Sequence, residues 1–183
     1  MSYDATGLNI GLLMLRIVIG ITIFLHGYNH IWGGGKIKGT AGWFESLGMK
    51  PGIVHAWLAS ITELVCGPLL IVGLLNPLAA AGVVGVMAVA FVTNHRPNGF
   101  FIFRPGEGYE YVLNLGVAAL ALGAMGAGEW SLDKALFSGK VAGVEQFGVT
   151  GLVITAVAGL GGAAVLLIGF WRPAPKPAET AGA

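Results

Sequence analysis

Charge is what this chain has least of. Asp, Glu, Lys and Arg together make up 10% of its 183 residues, against about 25% in an ordinary soluble domain. With 55% of residues hydrophobic, so few charges cannot cover the apolar surface of a water-soluble fold of this size. The net charge is +1 and no basic stripe runs along any segment, which leaves no bulk attraction for nucleic acid. Cysteine is nearly absent too. Cys66 stands alone in an apolar run, so an intrachain disulfide and a multi-cysteine metal cluster are both excluded, and the thiol reads as a small packing residue. No basic region precedes the first apolar run, and that run is too long for the core of a cleavable signal. The first span is therefore expected to be retained and to serve as the insertion signal.

What the chain does have is apolar runs of membrane length. They cover about residues 9–31, 54–75, 78–93, 109–125 and 150–170, near the roughly 20 residues that a helical span needs. Between the first two, Ala41, Trp43, Phe44 and Leu47 form one face of a short helix lying at the membrane interface. Asn76-Pro77 reads as a tight turn that makes the second and third spans an antiparallel hairpin. Residues 131–147 read as an interfacial amphipathic helix with Ser131 as its N-cap. Trp171 and Arg172 close the last span as an interface anchor, and residues 173–183 read as a disordered tail. The predicted fold is all-α: a polytopic membrane protein with a four-helix transmembrane bundle over residues 1–134. A connector over 135–149 leads to a fifth C-terminal transmembrane helix over 150–172, set apart from the four.

Lys36, Lys38, Lys50, Arg96, Arg104, Arg172 and Lys176 fall on one side of this topology, and only Lys134 and Lys140 on the other. The positive-inside rule then places the N-terminus outside and the C-terminus in the cytoplasm of a bacterial inner membrane.

Polar residues gather on that same side. His26 and His30 end the first span, His55 begins the second and His95 follows the third, with Glu63 about 13 Å inside the face. Glu110 and Asn114 open the fourth span, and Asn98 sits in the loop before it. A mid-span carboxylate must be neutral or paired, so Glu63 either exchanges protons with a bound redox molecule or locks two helices together. Arg16 is the exception, near the opposite face; it either snorkels outward or reaches Glu63 through a polar bridge. His26 and His30 have the i, i+4 spacing of metal ligands. No third ligand is fixed by spacing, and no metal is expected. A loose internal repeat pairs Glu63 with Glu110 on two parallel helix pairs around one pocket.

At these residues the sequence resembles the DoxX family of small bacterial membrane proteins. The matching features are Leu15-Arg16, His26-Gly27, Gly39-Thr40-Ala41-Gly42 with Phe44 and Leu47-Gly48, and Glu63. Asn98-Gly99-Phe100, Gly108-Tyr109-Glu110-Tyr111 and the Ser131-Leu132-Asp133 triplet follow in order, so the resemblance covers roughly residues 9–134. It implies a four-span core and redox work at the quinone pool, since relatives include a membrane component of a thiosulfate:quinone oxidoreductase. The fifth span departs from the usual form and suggests an added docking element.

The expected function is a component of a quinone-linked membrane redox complex. Arg16, His26, His30, Glu63, Asn98, Glu110 and Asn114 are the candidates for its polar pocket, a bound quinone is the candidate ligand, and protein partners in the membrane are expected. One alternative is a non-catalytic accessory subunit that docks through the fifth span by Ala156, Gly159, Gly161, Gly162, Ala163 and Ala164. A small-solute transporter using Arg16 and Glu63 is the other.

Overall fold

The computed structural model describes residues 5–173; the predicted tail lies almost wholly outside them. Helix α1 spans Ala5–Trp32 and α2 spans Lys36–Ser46. Helix α3 spans Gly52–Val72, and α4 (Asn76–Ala90) continues through a π turn, Phe91–His95, and a 3-10 turn, Arg96–Asn98. Helices α5 (Glu110–Met125) and α6 (Leu132–Phe137), a two-stranded hairpin of β1 (Lys140–Val141) and β2 (Val144–Glu145), and α7 (Gly148–Phe170) complete the chain. Four of these segments, α1, α3, α4 with its extension and α7, are long and apolar enough to cross a membrane, and α5 is a shorter apolar helix. Its 16 residues rise about 24 Å.

Two local expectations change. Asn76 and Pro77 are helical rather than a turn, because a proline in the first helical turn has no amide hydrogen to leave unpaired. The reversal is made by Gly73, Leu74 and Leu75, with Gly73 and Leu75 both left-handed at φ 66° and 51°. Ser131 does cap a helix, accepting from the Lys134 amide at 3.2 Å. That helix stops after six residues, where Ser138 and Gly139 both take positive φ. Ala142 and Gly143, also at positive φ, then form the two-residue turn of the hairpin. The segment 131–147 is thus a short helix and a hairpin, not one amphipathic helix.

Backbone contact between α1 and α3 organises the bundle. The two run antiparallel. A Cβ on Gly20 would lie 2.6 Å from the Gly67 carbonyl oxygen, one on Gly67 would lie 2.6 Å from that of Gly20, and one on Gly27 would lie 2.9 Å from that of Ser60. Apolar side chains give little drive for helix association in lipid, so close approach of this kind supplies the packing. Helix α4 lies beside α3, and α5 returns antiparallel to α4, where the Asn76 side-chain amide donates to the Leu122 carbonyl at 2.8 Å. Ile19, Ile23, Leu70, Val83, Met87 and Leu122 fill the centre.

The last helix is not set apart from the other four. Helix α7 runs parallel to α4, and a Cβ on its Gly159 would lie 2.7 Å from the Ala81 carbonyl oxygen. The Thr155 hydroxyl lies 3.0 Å from the Pro77 carbonyl oxygen and 2.9 Å from that of Gly151. Its far end is latched by Trp171, whose indole donates to the Leu47 carbonyl at 2.9 Å, and by the Arg172 amide on the Gly48 carbonyl at 2.7 Å. Gly159 and Ala163, expected to face an outside partner, are buried within the chain. Two of the small residues read as a docking face thus serve the bundle's own packing, while Gly161, Gly162 and Ala164 stay exposed.

Gly20→Ala should lower the unfolding temperature in detergent, because the backbone across from it cannot yield; overpacking costs about 1–3 kcal/mol. Gly11→Ala, where an added Cβ meets nothing within 4 Å, should leave it unchanged or raise it.

Candidate functional site

The Gly27 contact carries α1 down the face of α3 on which Glu63 sits. One turn further along α1, His30 Nδ1 lies 3.1 Å from Glu63 Oε2. Glu63 is 2% exposed, so the imidazole supplies the partner that a buried carboxylate needs. The two atoms are close without the alignment of a hydrogen bond, which leaves both with capacity for a third group. One turn back, His26 Nε2 lies 3.2 Å from the Tyr111 hydroxyl of α5, and the two rings stack at 5.9 Å. A second imidazole thus meets a phenol beside the carboxylate pair.

The π turn at the end of α4 sets His95 inward. Its Nδ1 donates to the Glu107 carbonyl at 2.9 Å, leaving Nε2 to accept from the Asn94 amide at 3.3 Å. Asn98 strengthens the same closure, donating to the Asn94 and Glu107 carbonyls at 3.1 Å each. These bonds fold residues 99–108 across the end of the bundle.

Between α3, α4 and α7 lies a cavity of about 720 Å³. His26, His30, Glu63 and Tyr111 form part of its wall, and His55 and His95 another, so every histidine in the chain borders it. His55 is 3% exposed and packs between Phe44 and Phe170, and its Nε2 is buried without a partner. Leu58, Leu78 and Val165 line the cavity and are also exposed on the outside of the bundle, at 45%, 50% and 68%. In a membrane that outside is lipid. The cavity is therefore polar at one end and open sideways to the hydrocarbon.

Of the candidate residues, the fold brings His26, His30 and Glu63 together and leaves the others elsewhere. Asn98 is a loop staple. Glu110 accepts from the Ile102 amide at 3.2 Å and Asn114 donates to the Glu110 carbonyl at 2.9 Å, both on the side of α5 away from the cavity. Glu110 thus does not mirror Glu63, and the suggested repeat does not extend to the side chains. Tyr111 is the residue that sequence reasoning missed. Its signal is periodicity: Tyr111, Leu115, Ala119 and Leu122 share the inward stripe of α5, whereas Glu110, Asn114 and Val117 share the next one round. Among the described residues, no group of three His, Cys, Asp or Glu side chains is placed to hold a metal ion.

Arg16 sits at the other end of the bundle and neither snorkels nor bridges to Glu63. It is completely buried, with one guanidinium nitrogen donating to the Trp130 carbonyl at 2.6 Å. Gly73 makes room for it, since a Cβ there would collide with the guanidinium. Asp133 lies near enough to compensate the charge. Its two carboxylate oxygens accept from the Leu75 and Asn76 amides at 2.7 and 2.9 Å, so it caps α4 from a distant part of the chain. Arg16 and Asp133 join four segments into one clasp. Asp133→Ala leaves two amides without acceptors, at about 1–3 kcal/mol for each group left unpaired. The expected outcome for both Asp133→Ala and Arg16→Leu is a lower unfolding temperature with unchanged ligand affinity at the cavity, measured on protein in lipid nanodiscs.

No curated protein and no solved structure shows a significant match to the chain. Residues 11–96 match the DoxX family model, a stretch that runs from α1 through the π turn and carries His26, His30, Glu63 and His95 but stops short of Tyr111 and Asp133. That stretch, just under half of the chain, is similar to DoxX domains, and its membrane-length helices make the chain a multi-pass membrane protein.

Proposed function

We propose that the cavity binds the headgroup of a membrane quinone and that the chain works as a quinone-linked component of a membrane redox complex. The observation that carries this reading is one continuous space with a buried carboxylate–imidazole pair and an imidazole–phenol pair at its polar end and a lipid-facing opening at its side. A quinone needs both parts. Its carbonyl oxygens accept hydrogen bonds, which Tyr111 and His26 supply. Reduction to the quinol takes up two protons, and Glu63 with His30 is placed to pass them on, being buried, paired and bordering the same space. The electrons would come from a partner redox enzyme in the membrane, with this chain holding the quinone beside it.

The cluster of Lys36, Lys38, Lys50, Arg96, Arg104 and Arg172 at the polar end of the bundle supports a cytoplasmic position for the site. A transporter reading draws less support, because Arg16 and Glu63 lie at opposite ends and Arg16 is taken up by its clasp.

Trp43 borders the cavity, so quinone binding should quench part of the tryptophan fluorescence of protein in nanodiscs. Saturable quenching is expected for the unaltered chain. His26→Ala and Glu63→Gln should each weaken it by about tenfold, equivalent to about 1.4 kcal/mol. Tyr111→Phe should do the same while leaving the unfolding temperature nearly unchanged. Quenching that is linear in quinone and identical in all variants would contradict the assignment.

A further inference from the structure

The cavity is much longer than a ring-sized headgroup requires. Along α4 its wall runs from Thr93 and Asn94, at the polar end, back to Ala90, Gly85, Ala81 and Leu78. Fifteen residues separate Leu78 from Thr93, about 22 Å of helix, so the space extends through most of the hydrocarbon depth. Beyond the polar end its lining is apolar and small.

Helix α7 supplies the outer wall of this groove through Ala158, Gly159, Gly162, Ala163 and Leu166. Gly159 is small because the backbone of α4 passes against it. Gly162 has no such reason. It borders the cavity, yet a Cβ there would meet no protein atom within 4 Å. Gly162 is exposed on the outside of the bundle, so it stands at the mouth of the groove, where the protein supplies no covering atom. At the polar end of the same space, His55 Nε2 remains buried and unpartnered, an independent sign that the cavity accommodates a group from outside the chain.

Resting on the quinone reading above, we infer that the groove between α3 and α7 is the seat of the ligand's polyprenyl chain. The chain lies along α4 and leaves to the bilayer toward Leu78, which lines the space and is exposed on the outside of the bundle. Helix α7 is then part of the binding site, and Gly162 sets the width of the passage. A ligand with a polar ring and a long apolar chain fits both ends of the space at once, whereas a small polar solute would leave most of the groove empty.

The test compares a long-chain quinone with a tailless analogue of the same ring, by fluorescence quenching in nanodiscs. Three proteins are compared: the unaltered chain, Gly162→Trp, and Gly161→Trp. Gly161 is the control, because it too has nothing within 4 Å of an added Cβ but does not border the cavity. Gly162→Trp should lower affinity for the long-chain quinone by about tenfold or more and shift that for the tailless ring by less than about twofold. Gly161→Trp should change neither. Equal effects on the two quinones, or no effect from Gly162→Trp, would overturn the inference while leaving the headgroup site intact. If the unaltered chain binds neither quinone, the headgroup reading fails. A phospholipid that co-purifies with the unaltered chain and is lost from Gly162→Trp would then assign the groove to an acyl chain, and lipid retained equally by all three would leave it no ligand at all.

Discussion

The contact of α1 with α3, backbone against backbone at Gly20, Gly27 and Gly67, is the constraint from which both ends of this bundle follow. Two helices this close hold their flanking side chains in fixed register. At one end the register delivers Arg16 to the turn at Gly73, and at the other it sets His30 against Glu63. In a soluble protein water could tolerate a small mismatch between such groups. In hydrocarbon an unpaired charge or hydrogen-bonding group costs several kcal/mol, so the glycines and the polar pairs have to agree.

The two intramembrane charges are then put to different use. Arg16 is enclosed by residues from four segments, and the cavity does not reach it. Its work is to close the bundle where the chain between α5 and α6 folds back over it. Glu63 is as deeply buried but borders an open space, and its pairing with His30 leaves hydrogen-bonding capacity on both partners. Arg16 keeps Nε and Nη1 without hydrogen-bond partners but has no open space beside it, whereas Glu63 faces a cavity that a ligand can enter. By this contrast the proposed ligand site falls at Glu63 and not at Arg16.

The spans are legible in the sequence because hydrocarbon demands long apolar runs, and that demand acts on each helix separately. The gathering of the histidines is legible for a related reason, since alternating spans bring every second loop to one face. Pairings between helices are not legible. Asp133 compensates Arg16 from well over a hundred positions away, and nothing in its neighbourhood shows which helix it will cap. Tyr111 is hidden beside Glu110, the more conspicuous residue, and only the rotation of α5 decides which of them faces in. The small residues of α7 fit a docking face and an intramolecular seam equally well. Two pairs of adjacent positive-φ residues, Ser138-Gly139 and Ala142-Gly143, turn what reads as one amphipathic helix into a helix and a hairpin.

The measurement that bears most directly on the site is native mass spectrometry of the unaltered protein, released gently from the membranes in which it was made. A bound mass matching a quinone, retained at activation energies that strip annular lipid and absent from Glu63→Leu protein that is still folded, is the result expected. A spectrum with phospholipid adducts alone, the same in both proteins, would contradict a quinone site at Glu63 and leave the polar cluster as a lock between helices.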